Sequence, residues 1–313
     1  MDRHGAGCGA VVGVRHVAGV LRRWRRERWE RRERRKFRFV VRKIIDEEAL
    51  APFAYTVDGE ECVIVDVYDD SMTEAVIPDC VTGIGDGAFS YLYSLRRVEI
   101  PDSVTSIGDS AFYDCSGLTG ALEIPDSVTS IGDRVFYNCS SLKYIEIPSS
   151  VTSIGDYAFY NCSGLTGALE IPDSVTSIGD YAFSGCSGLT SLELPFGLTS
   201  IGNGAFSRCS GLTSLKLPNS VTSIGDSAFS GCSGLTSIKL SLGLTSIGDC
   251  AFLGCNDLTI YYGGTEEEWS AISISDVGNG NLTAATIYYY SETEPTGTGN
   301  YWHYDGAGNP VPW

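Results

Sequence analysis

One dipeptide, Ile-Gly, recurs through most of this chain at a nearly constant spacing. Eight copies are separated by 23 or 24 residues, and their isoleucines are Ile84, Ile107, Ile131, Ile154, Ile178, Ile201, Ile224 and Ile247. A Phe follows five residues after each Ile, at Phe89, Phe112, Phe136, Phe159, Phe183, Phe206, Phe229 and Phe252. A fixed period of roughly 20–29 residues is typical of a solenoid, in which each unit forms one turn. The sequence therefore predicts about eight stacked turns.

Each unit has too few apolar side chains to form a core of its own, so stacking must supply the core. The unit ends in an alternation of apolar and polar residues, as in Tyr144-Ile145-Glu146-Ile147, which is typical of a strand. The Pro that follows, such as Pro148, lacks a backbone N–H and should end the strand. Units of 24 residues carry an extra residue at Gly120-Ala121 or Gly167-Ala168, which predicts a bulge or a wider turn.

An acidic or amide residue follows Ile-Gly in every unit, and the series is Asp86, Asp109, Asp133, Asp156, Asp180, Asn203, Asp226 and Asp249. Asp and Asn are favoured helix N-caps, so this position predicts a one-turn helix or 3₁₀ segment beginning there. A calcium ladder is the alternative, because stacked carboxylates attract a hard cation. The units lack the dense Gly-Asp spacing of calcium-binding turns, which favours capping.

The consensus I-P-x-x-V-T-x-I-G-x-x-A-F-x-x-C-x-x-L over about residues 76–262 resembles the BspA-type leucine-rich repeats of bacterial surface and secreted proteins. The Cys precedes the strand, whereas the commonest leucine-rich consensus places Asn or Cys after it. The resemblance implies a right-handed leucine-rich-repeat β-solenoid with short helical or 3₁₀ segments and terminal caps. It also implies an extracellular or cell-surface location and a role in adhesion or recognition.

Flanking segments divide the chain further. We expect a basic, disordered extension at 1–45, an N-terminal cap at 46–80, eight repeats at 81–262, and a C-terminal cap and tail at 263–313. The cap at 46–80 shows strand-like alternation around a turn at Asp58-Gly59. The second cap carries a Thr265-x-x-Glu268 capping box, with Trp269 expected to pack over the last turn. A strand at 286–290 and a turn at 305–306 are predicted beyond it.

Charge is distributed very unevenly along the chain. Residues 1–45 hold 15 of the 22 Lys and Arg and only 4 acidic residues, a net charge of +11. The remainder holds 7 basic and 35 acidic residues, a net charge of −28, which disfavours nucleic acid as a partner of the solenoid. The basic extension could instead contact nucleic acid or an anionic membrane. Its basic run follows a short apolar stretch, the reverse of a secretory signal, and no stretch of roughly 18 apolar residues predicts a transmembrane helix.

Catalysis finds little support in the sequence, and we expect no catalytic residues and no cofactor. The three His residues are His4, His16 and His303, all outside the repeats. A hydrolase active region within 263–313 is the alternative; it would need a carboxylate pair drawn from Glu266, Glu267, Glu268, Asp276, Glu292, Glu294 and Asp305. The cysteine column comprises Cys115, Cys139, Cys162, Cys186, Cys209, Cys232 and Cys255. A spacing of 23 or 24 residues does not match zinc-binding clusters, so we expect these cysteines to be small buried hydrophobes rather than metal ligands or disulfides.

Positions that vary between units are the candidates for binding. The outward strand column is Glu99, Glu123, Glu146, Glu170, Glu193, Lys216 and Lys239, a stripe that changes from acidic to basic. Tyrosines cluster on the second to fifth turns, at Tyr113, Tyr137, Tyr157, Tyr160 and Tyr181. Exposed Tyr is enriched at interfaces, although these residues could equally shield the edge of the solenoid. We therefore expect a non-catalytic module that binds a protein or glycan, with a structural cell-surface scaffold as the alternative.

Overall fold

The computed structural model describes residues 52–313, so the basic extension predicted at 1–45 lies outside the described residues. Its strands are β1 (Phe53–Asp58), β2 (Glu61–Val67), β3 (Glu74–Val76), β4 (Gly83–Ile84), β5 (Arg97–Glu99), β6 (Ser106–Ile107), β7 (Ala121–Glu123), β8 (Ser130–Ile131), β9 (Tyr144–Glu146), β10 (Ser153–Ile154), β11 (Gly167–Glu170), β12 (Ser177–Ile178), β13 (Leu189–Glu193), β14 (Ser200–Ile201), β15 (Ser214–Lys216), β16 (Ser223–Ile224), β17 (Ser237–Leu240), β18 (Ser246–Ile247), β19 (Thr259–Tyr262), β20 (Ser273–Ile274), β21 (Thr286–Tyr290), β22 (Tyr301–Tyr304) and β23 (Pro310–Pro312). Two short helices, α1 (Glu266–Ser270) and α2 (Gly280–Thr283), lie near the C-terminus.

Two parallel series of strands run along the coil, and each turn contributes one strand to each series. The isoleucine ladder contains the even-numbered strands from β2 to β20 and pairs Ile154 with Ile131 and Ile178. The strand ladder contains the odd-numbered strands from β3 to β21, in several hydrogen-bonded segments. The predicted β-solenoid is confirmed. Each ladder has ten strands, so the coil has about ten turns rather than the eight predicted from the Ile-Gly period. Ile64 and Ile274 occupy the isoleucine column in the two additional turns, where no Gly follows the Ile.

The core consists of stacked columns of identical side chains. Phe159 is fully buried, and its ring centroid lies 5.3 Å from that of Phe136 and 5.0 Å from that of Phe183. The seven cysteines of the column are buried, which confirms the burial expected from their spacing, and each is a free thiol. Each donates a hydrogen bond to a Phe carbonyl in the preceding turn, as Cys162 Sγ does to Phe136 O at 3.1 Å. Burial raises the pKa of Cys186 to about 12, so its thiolate is not populated at neutral pH.

The aspartate column does not cap helices, and this prediction was wrong. Within the described repeats, the segment from Asp to Cys forms successive turns without α-helix or 3₁₀-helix. Asp156 Oδ1 instead accepts the backbone N–H of Asp180 in the next turn, at 2.8 Å. Tyr157, the residue after Asp156, has φ +57 and donates its N–H to Asp180 O, so the backbone bonds to the next turn instead of continuing as a helix.

The extra residue at Gly167 produces the predicted bulge. The register of β11 against β13 shifts between Gly167 and Ala168, and Gly167 has φ +85. A positive φ of this size is strained for residues with a Cβ, so Gly is suited to the inserted position. After this bulge, Leu169 and Glu170 pair in register with Leu192 and Glu193 of the next turn.

Both ends of the coil carry additional packing elements. At the N-terminal end β1 and β2 form an antiparallel hairpin, and Phe53 packs edge-on against Phe89, with ring centroids 5.9 Å apart. At the C-terminal end the predicted capping box of α1 is confirmed, because Thr265 and Glu268 each accept the other's backbone N–H. The ring centroid of Trp269 lies 5.4 Å from that of Tyr262, so Trp269 packs over the last turns as expected. The residue limits of the caps and repeats stay predictions.

The aspartate ladder can be tested at Asp156. Asp156→Ala should lower the free energy of unfolding by about 1 kcal/mol, because the N–H of Asp180 loses its partner. Asp156→Asn should change it by less than about 0.5 kcal/mol, since Asn203 fills the same position and accepts the N–H of Asp226 at 2.9 Å. Urea unfolding followed by circular dichroism measures both. Equal losses for Ala and Asn would mean that the charge matters and the hydrogen bond does not.

Candidate functional site

The outward side chains of the strand ladder form the strand face. Strand residues alternate between the two sides of a sheet, so Glu146 points outward while its neighbours Ile145 and Ile147 are buried. Glu123 pairs with Glu146 and Glu170 pairs with Glu193 in register. The paired strands that carry these glutamates lie about 4.8 Å apart along the ladder. The stripe predicted from Glu99 to Glu193 is present as a row of exposed carboxylates.

The basic end of this stripe is occupied by the chain itself. Lys216 Nζ donates to Gly308 O at 3.3 Å and to Asn309 Oδ1 at 3.1 Å, both in the loop between β22 and β23. Lys239 Nζ lies 5.4 Å from the ring centroid of Tyr304, a cation–π contact. The hairpin of β22 and β23 therefore lies over the strand face at Lys216 and Lys239. The two lysines predicted as binding residues hold this hairpin, and the glutamate part of the strand face remains open.

Buried aromatic packing anchors the same hairpin. Trp302 is 1% exposed, and its Nε1 donates to Tyr262 O at 2.7 Å. The Asp305 carboxylate accepts the backbone N–H groups of Asn309 and Ala307 in the hairpin loop, which lowers the pKa of Asp305. Two of the carboxylates considered for hydrolysis, Glu268 and Asp305, are therefore engaged in a helix cap and a turn.

The predicted tyrosines lie together on the solenoid edge that follows the phenylalanine column. Tyr113 and Tyr137 stack with ring centroids 4.6 Å apart and planes 4° apart, and Tyr160 stacks on Tyr137 at 4.7 Å and 11°. Tyr157 and Tyr181 form a second stack at 5.1 Å and 11°. All five side chains are half-buried. Because much of each ring face contacts another ring, the part open to solvent is mainly ring edge.

The two stacks are joined into one surface. Tyr157 lies 5.7 Å from Tyr160 between ring centroids, and the Arg134 guanidinium lies 5.1 Å from the Tyr157 centroid. The ring of Tyr181 extends over Gly204, where a Cβ would overlap it. Gly204 thus ends the second stack, because any larger residue would displace Tyr181. We call Tyr113, Tyr137, Tyr157, Tyr160, Tyr181 and Arg134 the tyrosine surface.

The backbone and the electrostatics of this surface are unusual for tyrosine. Tyr157 and Tyr181 have φ +57 and +56, a left-handed conformation that costs a residue with a Cβ roughly 1–2 kcal/mol. The equivalent residues Ser110 and Ser227 have φ +58 and +56, so the coil imposes this conformation whichever side chain is present. Burial, followed by the neighbouring phenols, raises the pKa of Tyr137. The Tyr137 phenol therefore stays neutral at physiological pH and can both donate and accept a hydrogen bond.

Two exposed tyrosines next to this surface were missed by sequence reasoning. Tyr91 lies 5.3 Å from Tyr113 and 6.4 Å from Tyr93, between ring centroids. The two side chains are 41% and 56% exposed, so they extend the aromatic area to the first Ile-Gly turn. Tyr91 stands two residues after Phe89 rather than one, so it falls outside the column that identified Tyr113. Tyr91 could be found only from its contact with Tyr113 in a neighbouring column, because it does not repeat within a column of its own.

Among residues 52–313, no group of three or more His, Cys, Asp and Glu side chains is arranged to hold a metal ion. Over the same residues, no helix has the length and apolar character needed to cross a bilayer.

The fold and the repeated columns define a bacterial-type leucine-rich-repeat solenoid. Residues 67–168 and 166–270 match the sequence profile described as "BspA type Leucine rich repeat region (6 copies)". The chain belongs to the BspA-type leucine-rich repeat family, as its resemblance suggested. Proteins of this family are typically protein-interaction or surface modules, and the family is generally non-catalytic.

Solved structures with this architecture include several bacterial proteins. A leucine-rich repeat protein from Bacteroides ovatus ATCC 8483 is 28% identical, with a TM-score of 0.65 over 79% of this chain and 70% of that one. The T. pallidum leucine rich repeat protein is 29% identical, with a TM-score of 0.49 over 66% of this chain and 88% of that one. No curated protein matches the chain in sequence. The first of these structures supports the fold and kinship with bacterial repeat proteins.

Proposed function

We propose that this chain is a non-catalytic recognition and adhesion module, displayed at the cell surface, that binds a protein partner through the tyrosine surface. The observation that carries the proposal is the continuous packing of five tyrosines and Arg134 on one edge of the coil. Tyr and Arg are the residue types enriched at protein interfaces and among their hot spots. The other turns mostly place Ser or Gly at these positions, which offer little contact area.

Stacking favours binding in a second way. Each Tyr of the surface is held by neighbouring rings, so little side-chain entropy remains to be lost when a partner binds. Tyr presents a large rigid contact with few rotatable bonds, and its hydroxyl supplies a directional hydrogen bond. The surface is therefore preorganised along four successive turns.

The strand face has a different part in this proposal. Exposed carboxylates such as Glu146 and Glu170 attract a partner with a basic surface over distances up to the screening length of about 8 Å at physiological salt. Such charges change the association rate and its salt dependence more than the dissociation rate. The net charge of −28 outside residues 1–45 also argues against nucleic acid as the partner of the solenoid.

Replacing Tyr137 and Tyr160 by Ser should keep the fold, because Ser184, Ser207 and Ser230 occupy the same position in other turns. An extracellular-matrix protein that binds the unmodified chain should bind these variants more weakly, by at least about 1 kcal/mol per replaced hot spot. Biolayer interferometry on immobilised matrix proteins measures the affinity, and circular dichroism checks the fold. Tyr144→Ser is the matched control, since Tyr144 is 51% exposed but lies on the strand face.

Charge reversal at Glu146 and Glu170 separates the two surfaces. The Glu→Lys variants should slow association while leaving dissociation almost unchanged. Intact affinity in the Ser variants, together with loss of binding in the Lys variants, would place the site on the strand face. The tyrosines would then act only as shielding for the edge of the coil.

A further inference from the structure

A shallow groove runs along the coil beside the isoleucine ladder, and its lining shares no residue with the tyrosine surface or the glutamate column of the strand face. One part has a volume of about 440 Å³ and is lined by Asp109, Ser130, Ile131, Gly132, Asp133, Ser153, Ile154, Gly155, Asp156, Ser177, Ile178 and Gly179. A second part of about 370 Å³ begins at Asp180 and is lined by the same Ser, Gly and Asp or Asn columns as far as Ser275. Because the columns continue from one part to the next, we treat them as one groove.

The floor of the groove is bare backbone. A Cβ on Gly155 would lie 2.5 Å from Asp133 Oδ1 and 2.6 Å from the carbonyl carbon of Gly132. This crowding excludes a side chain, and Gly forms the floor of each Ile-Gly turn along the groove. A ligand can therefore approach the backbone closely between the serine and aspartate walls.

The walls offer many more acceptors than donors. One carboxylate oxygen of Asp133 accepts the N–H of Asp156, and one of Asp156 accepts the N–H of Asp180. Within residues 52–313, the second carboxylate oxygen of each has no hydrogen-bond partner. The hydroxyls of Ser130, Ser153 and Ser177 likewise make no hydrogen bond within the described part. In the part lined by Asp109, Asp133 and Asp156, the groove therefore presents a row of carboxylate oxygens beside a row of hydroxyls. The second part is less acidic, because Asn203 replaces Asp there and its Nδ2 donates to Asp180 Oδ2 at 3.1 Å.

This chemistry selects a ligand rich in hydroxyl donors. An extended peptide would need backbone partners, but the strands of the isoleucine ladder already pair with neighbouring turns on both sides. A calcium ion needs roughly 6–8 oxygen ligands, whereas the turns of Asp133 and Asp156 each offer one carboxylate oxygen without a hydrogen-bond partner among the described residues. An anionic polymer would be repelled by the aspartates. A neutral sugar can donate to the carboxylates and exchange hydrogen bonds with the serines.

We propose that this groove binds an extended, neutral, linear polysaccharide along the axis of the coil. Successive turns lie about 4.8 Å apart. This spacing is close to the rise per sugar of an extended β-linked glycan, so equivalent hydroxyls can meet equivalent wall residues over several turns. The groove uses other residues than the tyrosine surface and does not depend on the proposed protein partner.

A blocking variant tests the groove directly. Ser153→Tyr/Ser177→Tyr places large side chains in its wall, on β10 and β12. Ala168→Tyr/Ser191→Tyr is the matched control, because these exposed positions lie on the strand face in the column where Tyr144 occurs naturally. Isothermal titration calorimetry with cellohexaose, xylohexaose and mannohexaose measures binding, and circular dichroism verifies that each variant is folded.

At least one of the three neutral hexasaccharides should bind the unmodified protein. Its association constant should fall at least tenfold in the blocking variant and change less than twofold in the control and in Tyr137→Ser. Asp133→Asn/Asp156→Asn, which retains the ladder as Asn203 does, should also weaken binding. The proposal is overturned if none of the three sugars binds, if the blocking variant binds as tightly as the unmodified protein, or if hexalysine or calcium binds in the groove and the sugars do not. Loss of protein binding in Tyr137→Ser with sugar binding intact would separate the two proposals.

Discussion

Phe159→Ala is expected to lower the free energy of unfolding by about 3–5 kcal/mol, the usual loss for a buried Phe. Phe159 is fully buried between Phe136 and Phe183, and its ring contributes to the continuous column at the centre of the coil. Removing the ring leaves a cavity with partners on both sides, so two turns lose packing at once. Since each turn of a solenoid contacts only its neighbours, the loss should be greatest in the third to fifth turns with Ile-Gly.

Urea unfolding followed by circular dichroism measures the total change, and amide hydrogen exchange shows where protection is lost. Phe196→Ala is the matched control, because Phe196 is 78% exposed and its removal should cost less than about 0.5 kcal/mol. A loss below about 1 kcal/mol in Phe159→Ala would show that the phenylalanine column does not carry the core.

Columns that repeat identically were predictable from the sequence because stacking multiplies one local rule. Buried Ile and Phe occur in each of the eight Ile-Gly turns and buried Cys in seven of them, so aligning the units on their period predicts these positions. The strand ending at Glu146 and the bulge at Gly167 followed from local alternation and from one inserted residue. Such features depend on contacts between adjacent turns, and the period predicts which residues make these contacts.

Features that depend on the identity of a partner were not predictable. An Asp before x-A-F fits a helix cap, but the N–H that Asp156 accepts belongs to Asp180, 24 residues away. Lys216 contacts Asn309, which is 93 residues away and outside the repeats. The two additional turns lack the Ile-Gly dipeptide, so the period alone could not count them. In each case the missing information was a contact that the repeat pattern does not encode.

The candidate binding surface was only partly visible in the sequence for the same reason. The column after Phe identified Tyr113, Tyr137 and Tyr160, and the column after Asp identified Tyr157 and Tyr181. That these two columns meet follows from the left-handed backbone at Tyr157 and Tyr181, which the sequence does not favour for tyrosine. Near-identical units thus fix the coil, while the residues that differ between units are the ones available for recognition.

Gly155 should be among the residues least tolerant of substitution in the whole repeat. It is one of eight glycines that follow the repeat Ile, and it adopts no positive φ, so its requirement is space rather than backbone freedom. A Cβ at this position would lie 2.5 Å from Asp133 Oδ1, 2.6 Å from the carbonyl carbon of Gly132 and 2.8 Å from the backbone N of Asp133. Two of these three atoms are backbone and cannot rotate away.

Gly155→Ala should therefore lower the free energy of unfolding by about 3 kcal/mol or more, the upper end of the range for overpacking. The added methyl group must push two adjacent turns apart, which also lengthens the hydrogen bond from Asp156 N to Asp133 Oδ1. Gly120→Ala is the matched control: its Cβ would meet only Arg96 O, at 3.6 Å, so it should be neutral or stabilise by up to about 1 kcal/mol through the unfolded chain. Urea unfolding of the two variants decides the matter, since equal stabilities would show that adjacent turns are not packed as closely as the aspartate ladder requires.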